Sequence, residues 1–413
     1  MAHTLHSTIL ESTIFTQKIL FALPFCAIAF CVSFFAVFLL IRFSKKHTIL
    51  VDSLMDTDFT LSNQSTNPTT NQPTNQSANN ITNNIASSLV SPTTTPNRIN
   101  KARVDSLDLA KKLTSVFSPF FAFPPSHSSH YPTPKAGGVG IILGVCAVFL
   151  GAGLYVHFTF YMLGGFIVFL SGFIKDMGFR FDLKICLFLQ CIGVFLSLLG
   201  LDIWLKSLGL GFELPYIGGL ILSVALIVGL CNAVNLIDKF NGLSGGFVLC
   251  VSLSIMSVAI SVDILSLAII SAILGSAVLG FLVLNFPSGR VFLGSGGAYF
   301  LGYCLAMILV ILTQTSYSIV SPWYALCVVI YPVWEMLFLF FRRKILEKKD
   351  SLPFHTLLFR RLGSNPLTSL LILCAQIPFV ALATLFYANS LALAMTCGVF
   401  VIIYTMMYNK FVA

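Results

Sequence analysis

The sequence predicts an all-α fold: a polytopic integral membrane protein of about eleven transmembrane helices, N-terminus outside, with its candidate active site on the cytoplasmic face. Three observations lead there. Of the 413 residues, 57% are hydrophobic and only 9% charged, with a mean hydropathy of +0.91, so the chain must use lipid as its solvent. Apolar runs of at least ~17 residues, the length that crosses a hydrocarbon core, recur along it. Lys and Arg gather on alternate loops, as the positive-inside rule requires.

The run at 18–41 is the first helix, because it is too long and too poorly flanked by basic residues on its N-terminal side for a cleaved signal peptide. Residues 1–42 therefore form a helix with a short external N-terminus. Residues 43–134 form a cytoplasmic loop, within which about 57–100 is dominated by Asn, Thr, Ser, Gln and Pro (LSNQSTNPTTNQPTNQSANNITNN). Such a composition buries too little apolar surface to offset ordering entropy and predicts a disordered insert. Asn63, Asn75 and Asn80 each begin an Asn-x-Ser/Thr triplet, but triplets arise by chance in so biased a run and its expected side is cytoplasmic. Residues 135–413 form the membrane core. Its runs fall at 136–156 and 158–174, joined by a very tight turn, then at 185–201, 214–235, 243–262, 264–285, 297–314, 320–341, 368–387 and 389–407.

With eleven spans and the N-terminus outside, Lys18 and Lys206 face outward and the other 22 of the 24 basic residues face the cytoplasm. The net charge of +9 then reads as topology plus attraction to anionic headgroups or an anionic substrate. Nucleic acid is a poor partner, since no stretch interleaves basic and aromatic residues on a soluble surface. The eleven Cys lie in or at the ends of apolar runs with no CxxC pair, and read as small buried hydrophobes. No internal repeat of transporter spacing is visible.

Four polar clusters fall on the expected cytoplasmic side, where unpaired polar groups in apolar surroundings need a reason. PTPKAGGVGI (132–141) leads Pro and Gly into a helix and is expected to leave free amides at its positive end. SGFIKDMGFRFDLK (171–184) carries Asp176 and Asp182 among basic residues. NAVNLIDKFNGLSGG (232–246) repeats Asn232, Asn235 and Asp238 every three residues, which places them on one helix face, aimed at one spot. FLGSGGAYFLGY (292–303) offers glycine-flanked amides suited to a phosphate. The bland alternative, amides acting as polar glue between helices, weakens because glycine turns share that side.

NAVNLIDKFNGLSGG resembles the NxxNxxDGxxG signature of the polyprenyl-phosphate N-acetylhexosamine-1-phosphate transferases (glycosyltransferase family 4). FLGSGGAYFLGY is similar to that family's FxGDxG segment, KAGGVGI to its PxxGG loop and GFIKDMG to its acidic pair. YPVWEMLFLFFRRK with DSLPFHTLLFRR is similar to its last cytoplasmic loop, which carries His-x-His and basic residues. The resemblance runs from about Lys135 to Pro366. It implies transfer of a sugar-1-phosphate from a UDP-sugar to undecaprenyl phosphate or a similar polyprenyl phosphate, with Mg²⁺ neutralising the diphosphate. That reaction starts lipid-linked cell-envelope glycans such as cell-wall polymers or lipopolysaccharide, in the plasma (inner) membrane. A homo-oligomer is an open expectation.

Carried over by resemblance, Asp176 and Asp238 are the catalytic and metal-holding acids. Asn235, Asn241, Phe292, Gly294, Lys135, His355, Arg360 and Arg361 bind substrate. Phe292 would stack on uracil and Asn241 touch the nucleoside. The chain departs from the pattern at Ser295, where the family has the Asp that holds Mg²⁺ most directly, and at Lys175, Pro353 and Lys239, which stand for an acid, a His and a Gly. A hydroxyl is a weaker Mg²⁺ ligand than a carboxylate. Two functions therefore stay open: a transferase in which lysines share the metal's task, or a degenerate relative that binds lipid phosphate or nucleotide sugar as a scaffold. A transporter fits less well, because transported substrates usually bind at the midplane.

Overall fold

A computed structural model describes residues 22–42, 134–151, 156–177, 182–315, 319–347 and 351–412. The expected insert at 57–100 and the basic residues between Lys101 and Lys112 lie outside the described residues. The elements are α1 (Ala22–Arg42), α2 (Gly137–Gly151), α3 (Val156–Asp176), α4 (Leu183–Leu201), β1 (Ser207–Gly209), β2 (Phe212–Glu213), α5 (Tyr216–Ile237), α6 (Leu243–Ser261), α7 (Leu265–Asn285) and α8 (Gly294–Gln314), then α9 (Pro322–Val328), α10 (Ile330–Phe340), α11 (Phe354–Leu362), α12 (Asn365–Leu385) and α13 (Ser390–Val412). A π-helical turn, Phe341–Ile345, continues α10.

Helices are what apolar runs of this length must form, since lipid offers the backbone no hydrogen-bond partner and only intrahelical bonds satisfy every N–H and C=O. Among the described residues nine helices are long and apolar enough to cross a membrane, and the bent pair α9–α10 makes a tenth. The protein is thus a multi-pass membrane protein with an all-α body. Every apolar run read from the sequence coincides with a helix, with two differences. The run at 136–156 yields a helix of 15 residues, about 22 Å at 1.5 Å per residue and short of a ~30 Å hydrocarbon core. The run at 320–341 is not one straight span but bends by 76° at Val329. Pro332 explains the break, because its ring excludes the carbonyl of Val328 four residues back and it brings no N–H to bond it. The freed Val328 carbonyl meets the Gln376 side-chain nitrogen of α12 at 3.5 Å.

The bundle is organised around α8. Of its apolar stretch 83% is buried, against 22% for α1 and α13. Small residues let neighbours approach it closely, as membrane helices require when no hydrophobic gain separates protein from lipid. A Cβ on Gly172 of α3 would lie 2.5 Å from the Gly296 nitrogen, and one on Gly302 would lie 2.6 Å from Cys231 Cα of α5. Tyr303 then locks α8 to its neighbours through its hydroxyl, 2.7 Å from Ser197 Oγ on α4 and 2.7 Å from the Tyr161 carbonyl on α3. At the far end of α8, Gln314 Oε1 accepts from the amides of Lys206 and Ser207 and anchors the small β1–β2 hairpin. The opposite end, where α3, α5 and α7 finish and α2, α6 and α8 begin, carries the polar clusters.

Candidate active site

Helix termini leave unpaired amides and carbonyls, and at this end of the bundle the chain satisfies them by lacing one loop to the next. Phe292 donates its amide to the Pro134 carbonyl at 2.9 Å, Gly137 donates to Phe292 O at 3.0 Å and Gly138 to Leu293 O at 2.9 Å. The 134–138 and 292–294 segments are therefore zipped together. This corrects the expectation that the Pro-Gly entry loop presents free amides to an anion: Gly137 and Gly138 spend theirs on the neighbouring loop. Gly294 turns the chain into α8 at φ +82°, a conformation that favours glycine.

The second amide cradle is occupied as well. Asp176, the last residue of α3, accepts the Gly296 amide at 3.1 Å through Oδ2, and Ser295 adds its own amide and hydroxyl to the same carboxylate. Ser295, where the resemblance expects an acid, thus serves as a donor to Asp176. The glycine-flanked amides of FLGSGG hold a side-chain carboxylate, not an external phosphate.

Across the cavity stands Asp238, just past the end of α5, its Oδ1 accepting from Ser244 Oγ of α6 at 2.6 Å. Burial pushes the Asp238 carboxyl up to about 6, against the pull of the Ser244 hydroxyl and Lys239; Asp176 adds to the rise and Lys135 opposes it. Asp176, Asn235, Asp238, Lys135, Lys239, Phe240, Asn285, Phe292, Gly294 and Ser295 together line a cavity of about 210 Å³. Two carboxylates and two ammonium groups share it. Asn285 braces the rim, accepting from the Gly242 amide at 2.6 Å and donating to the Val291 carbonyl at 2.7 Å.

The remaining expected site residues lie elsewhere. Asn232 does not point with Asn235 and Asp238: its amide reaches Gln190 Oε1 of α4 at 2.8 Å, the interhelical glue that was the bland alternative. Asn241 is buried, donating its backbone amide to Asn365 Oδ1 at 2.8 Å and its side-chain amide to Pro287 O at 3.2 Å, which joins α12 to the cavity wall. His355 is fully buried behind that wall, edge-on to Phe240 with ring centroids 5.5 Å apart. Burial, with Lys239 nearby, drives its imidazole down to about 3, so it is neutral, 3.4 Å from the Tyr331 hydroxyl and 3.8 Å from Glu335 Oε1. Arg360 and Arg361 line a different cavity on the far face of α11.

Phe240 and Asn285 went unread in the sequence. Phe240 lies inside NAVNLIDKFNGLSGG but looks like any apolar residue there; Asn285 offered a signal, an amide ending an apolar run just before Pro287.

Among the described residues no group of three or more His, Cys, Asp or Glu gathers as a metal site. A protein-only cage for a divalent ion is thus absent there. Asp176 and Asp238 do fit a Mg²⁺ that takes the rest of its shell from a bound diphosphate, since this ion keeps few protein ligands.

The chain is thus a membrane bundle with two carboxylates and two lysines gathered in one cavity at one end. Comparison with known proteins shows what the chain is similar to. Residues 158–313 match the model of glycosyl transferase family 4. It is 28% identical over 253 residues to a probable undecaprenyl-phosphate N-acetylglucosaminyl 1-phosphate transferase of Bacillus subtilis, covering 53% of this chain and 63% of the relative. It is 27% identical over 251 residues to an undecaprenyl-phosphate alpha-N-acetylglucosaminyl 1-phosphate transferase of Thermotoga maritima, covering 58% and 74%. With a phospho-N-acetylmuramoyl-pentapeptide-transferase of Heliobacterium modesticaldum it shares 31% over 208 residues, 47% of this chain and 64% of the relative. The chain spans less than two thirds of the length of the Bacillus relative.

Proposed function

We propose that the protein transfers a sugar-1-phosphate from a UDP-sugar to undecaprenyl phosphate or a similar polyprenyl phosphate, starting a lipid-linked glycan in the plasma membrane. One observation carries this: Asp176, Lys135 and the adjacent pair Asp238 and Lys239, from three separate segments, converge on one cavity at a helix-bundle end. The membrane position gives a lipid phosphate access, and the lysines suit a diphosphate.

In that reaction an oxygen of the lipid phosphate forms a bond to the sugar-bearing phosphorus of the UDP-sugar. The bond from that phosphorus to the bridging oxygen breaks, and UMP leaves. Both reactants are anions, so bringing them together and neutralising them is most of the task. Lys135 and Lys239, both in the cavity lining, bind the phosphates. Phe292 offers a ring face to the uracil, and Asn235 an amide beside Asp238. Asp176, fixed by the Ser295 and Gly296 donors, and Asp238, fixed by Ser244, orient the reacting phosphate and would together hold Mg²⁺. When bound with the diphosphate, that ion supplies positive charge to the phosphorus under attack.

The test is transfer of labelled sugar-1-phosphate from a panel of UDP-sugars to undecaprenyl phosphate by purified protein. A lipid diphosphate sugar with equimolar UMP is the expected product. Tight binding of UDP-sugar with no product from any donor would leave the chain a non-catalytic scaffold.

A further inference from the structure

Helix α11 separates two cavities. Its His355 and Phe359 are four residues apart on one face and pack on Phe240, the wall of the candidate active site, with ring centroids 5.5 and 5.1 Å away. Leu357, Arg360 and Arg361 fall on the other face and line a cavity of about 760 Å³ with Arg342, Tyr408 and Phe411.

That second cavity is strongly basic. Arg342 is buried, its guanidinium 4.7 Å from the Tyr408 ring centre, with hydrogen bonds to Ser351 Oγ at 3.3 Å and Asn409 Oδ1 at 3.4 Å. Arg361 lies 5.1 Å from the Phe411 ring centre. Among the described residues no carboxylate pairs with Arg342, Arg360 or Arg361, and Glu347 is the acid in the lining. A buried guanidinium without a counter-ion is costly unless an anion arrives.

Below it runs an apolar groove of about 300 Å³ between α11, α12 and α13, lined by Leu358, Ile372, Phe379, Phe400, Tyr404 and Met407. The two share helices: on α13, Tyr408 and Phe411 face the arginines while Tyr404 and Met407, about one turn earlier, face the groove. An arginine cavity at the membrane rim, continued by an apolar groove along two membrane-spanning helices, matches a molecule with an anionic head and a hydrocarbon tail.

We infer that this paired site binds an anionic phospholipid of the bilayer as a resident, non-reacting lipid. The charge is complementary to a phosphodiester headgroup, and the groove lies at chain depth. The reacting lipid phosphate is excluded as occupant by α11 itself, which stands between Arg360 and Arg361 on one side and the Phe240 wall of the Asp176–Asp238 cavity on the other. The bound lipid would hold α11, and through it Phe240, in place.

The test is native mass spectrometry of the full chain from nanodiscs of equimolar phosphatidylcholine and phosphatidylglycerol. Unmodified protein should retain phosphatidylglycerol about tenfold over phosphatidylcholine, consistent with charge-assisted hydrogen bonding. Arg360→Gln with Arg361→Gln should lose that preference while keeping its unfolding temperature, and the Arg360→Lys, Arg361→Lys pair should keep most of it. No preference in the unmodified chain overturns the inference, as does an unchanged preference in the Gln variant. Displacement of the retained phosphatidylglycerol by undecaprenyl phosphate also overturns it, because the site would then belong to the acceptor. Lipid retention is read without turnover, so a chain that retains phosphatidylglycerol but transfers no sugar-1-phosphate refutes the proposed activity alone.

Discussion

The two cavities flanking α11 are built on opposite plans. The one holding Asp176 and Asp238 is small, about 210 Å³, and its walls are tied loop to loop by the Gly137, Gly138 and Phe292 amides and by Asn285. It mixes two acids with two lysines. The one holding Arg342, Arg360 and Arg361 is about 760 Å³ with Glu347 as its acid, and its arginines lean on aromatic rings. Both would attract phosphate, yet the first sets two carboxylates against two lysines while the second sets one acid, Glu347, among three arginines. Positive charge gathers anions; opposed acids held in register by fixed donors are what chemistry on them requires.

The largest expected effect separates the cavities outright. Asp176→Asn should lower the rate of transfer ~10³-fold, since in the proposed reaction it removes a charge that orients the reacting phosphate; a rate within tenfold of the unmodified protein breaks the distinction. Next comes the packing beneath the small cavity. Gly172→Ala drives a Cβ to 2.5 Å from the Gly296 nitrogen and should destabilise the fold by roughly 1–3 kcal/mol or more, seen as a lower unfolding temperature in detergent.

Ser295→Asp tests how the missing acid is compensated. A carboxylate beside Asp176 should lower the Mg²⁺ concentration for half-maximal transfer about tenfold. An unchanged requirement would mean that Ser295 does not face the ion. The smallest effect is on pH. Because burial raises Asp238 to about 6, its working, ionised form grows as pH rises, so kcat/KM should climb through a limb near pH 6 and fall below it. A midpoint near 4 would show an Asp238 open to solvent.

Much of the fold was legible because lipid leaves few options: long apolar runs become helices, and all of those read at 136–407 coincide with one. The bend at Val329 was written in Pro332, but a hydropathy reading passes over one proline in an apolar stretch. At the site, the Asn-Asp and acidic-pair segments pointed to Asp176, Asn235 and Asp238, and these three line one cavity. What failed was inference from local motif to free donor: the amides of KAGG and FLGSGG look available in sequence and are taken by partners more than a hundred residues away. Arg360 and Arg361 follow His355 closely in sequence, yet a short helix sends them to its opposite face. Phe240 could not be told from lipid-facing residues until His355 and Phe359 were seen against it.

The most direct measurement compares unmodified protein, Asp176→Asn and Asp238→Asn in one assay that counts both UMP released and lipid diphosphate sugar formed from a UDP-sugar and undecaprenyl phosphate, in Mg²⁺. Equimolar formation of the two products by the unmodified chain, lost in both variants while UDP-sugar binding survives, is the expected result. Product formation by the unmodified chain that persists in either variant would contradict the assignment of the reaction to the Asp176–Asp238 cavity.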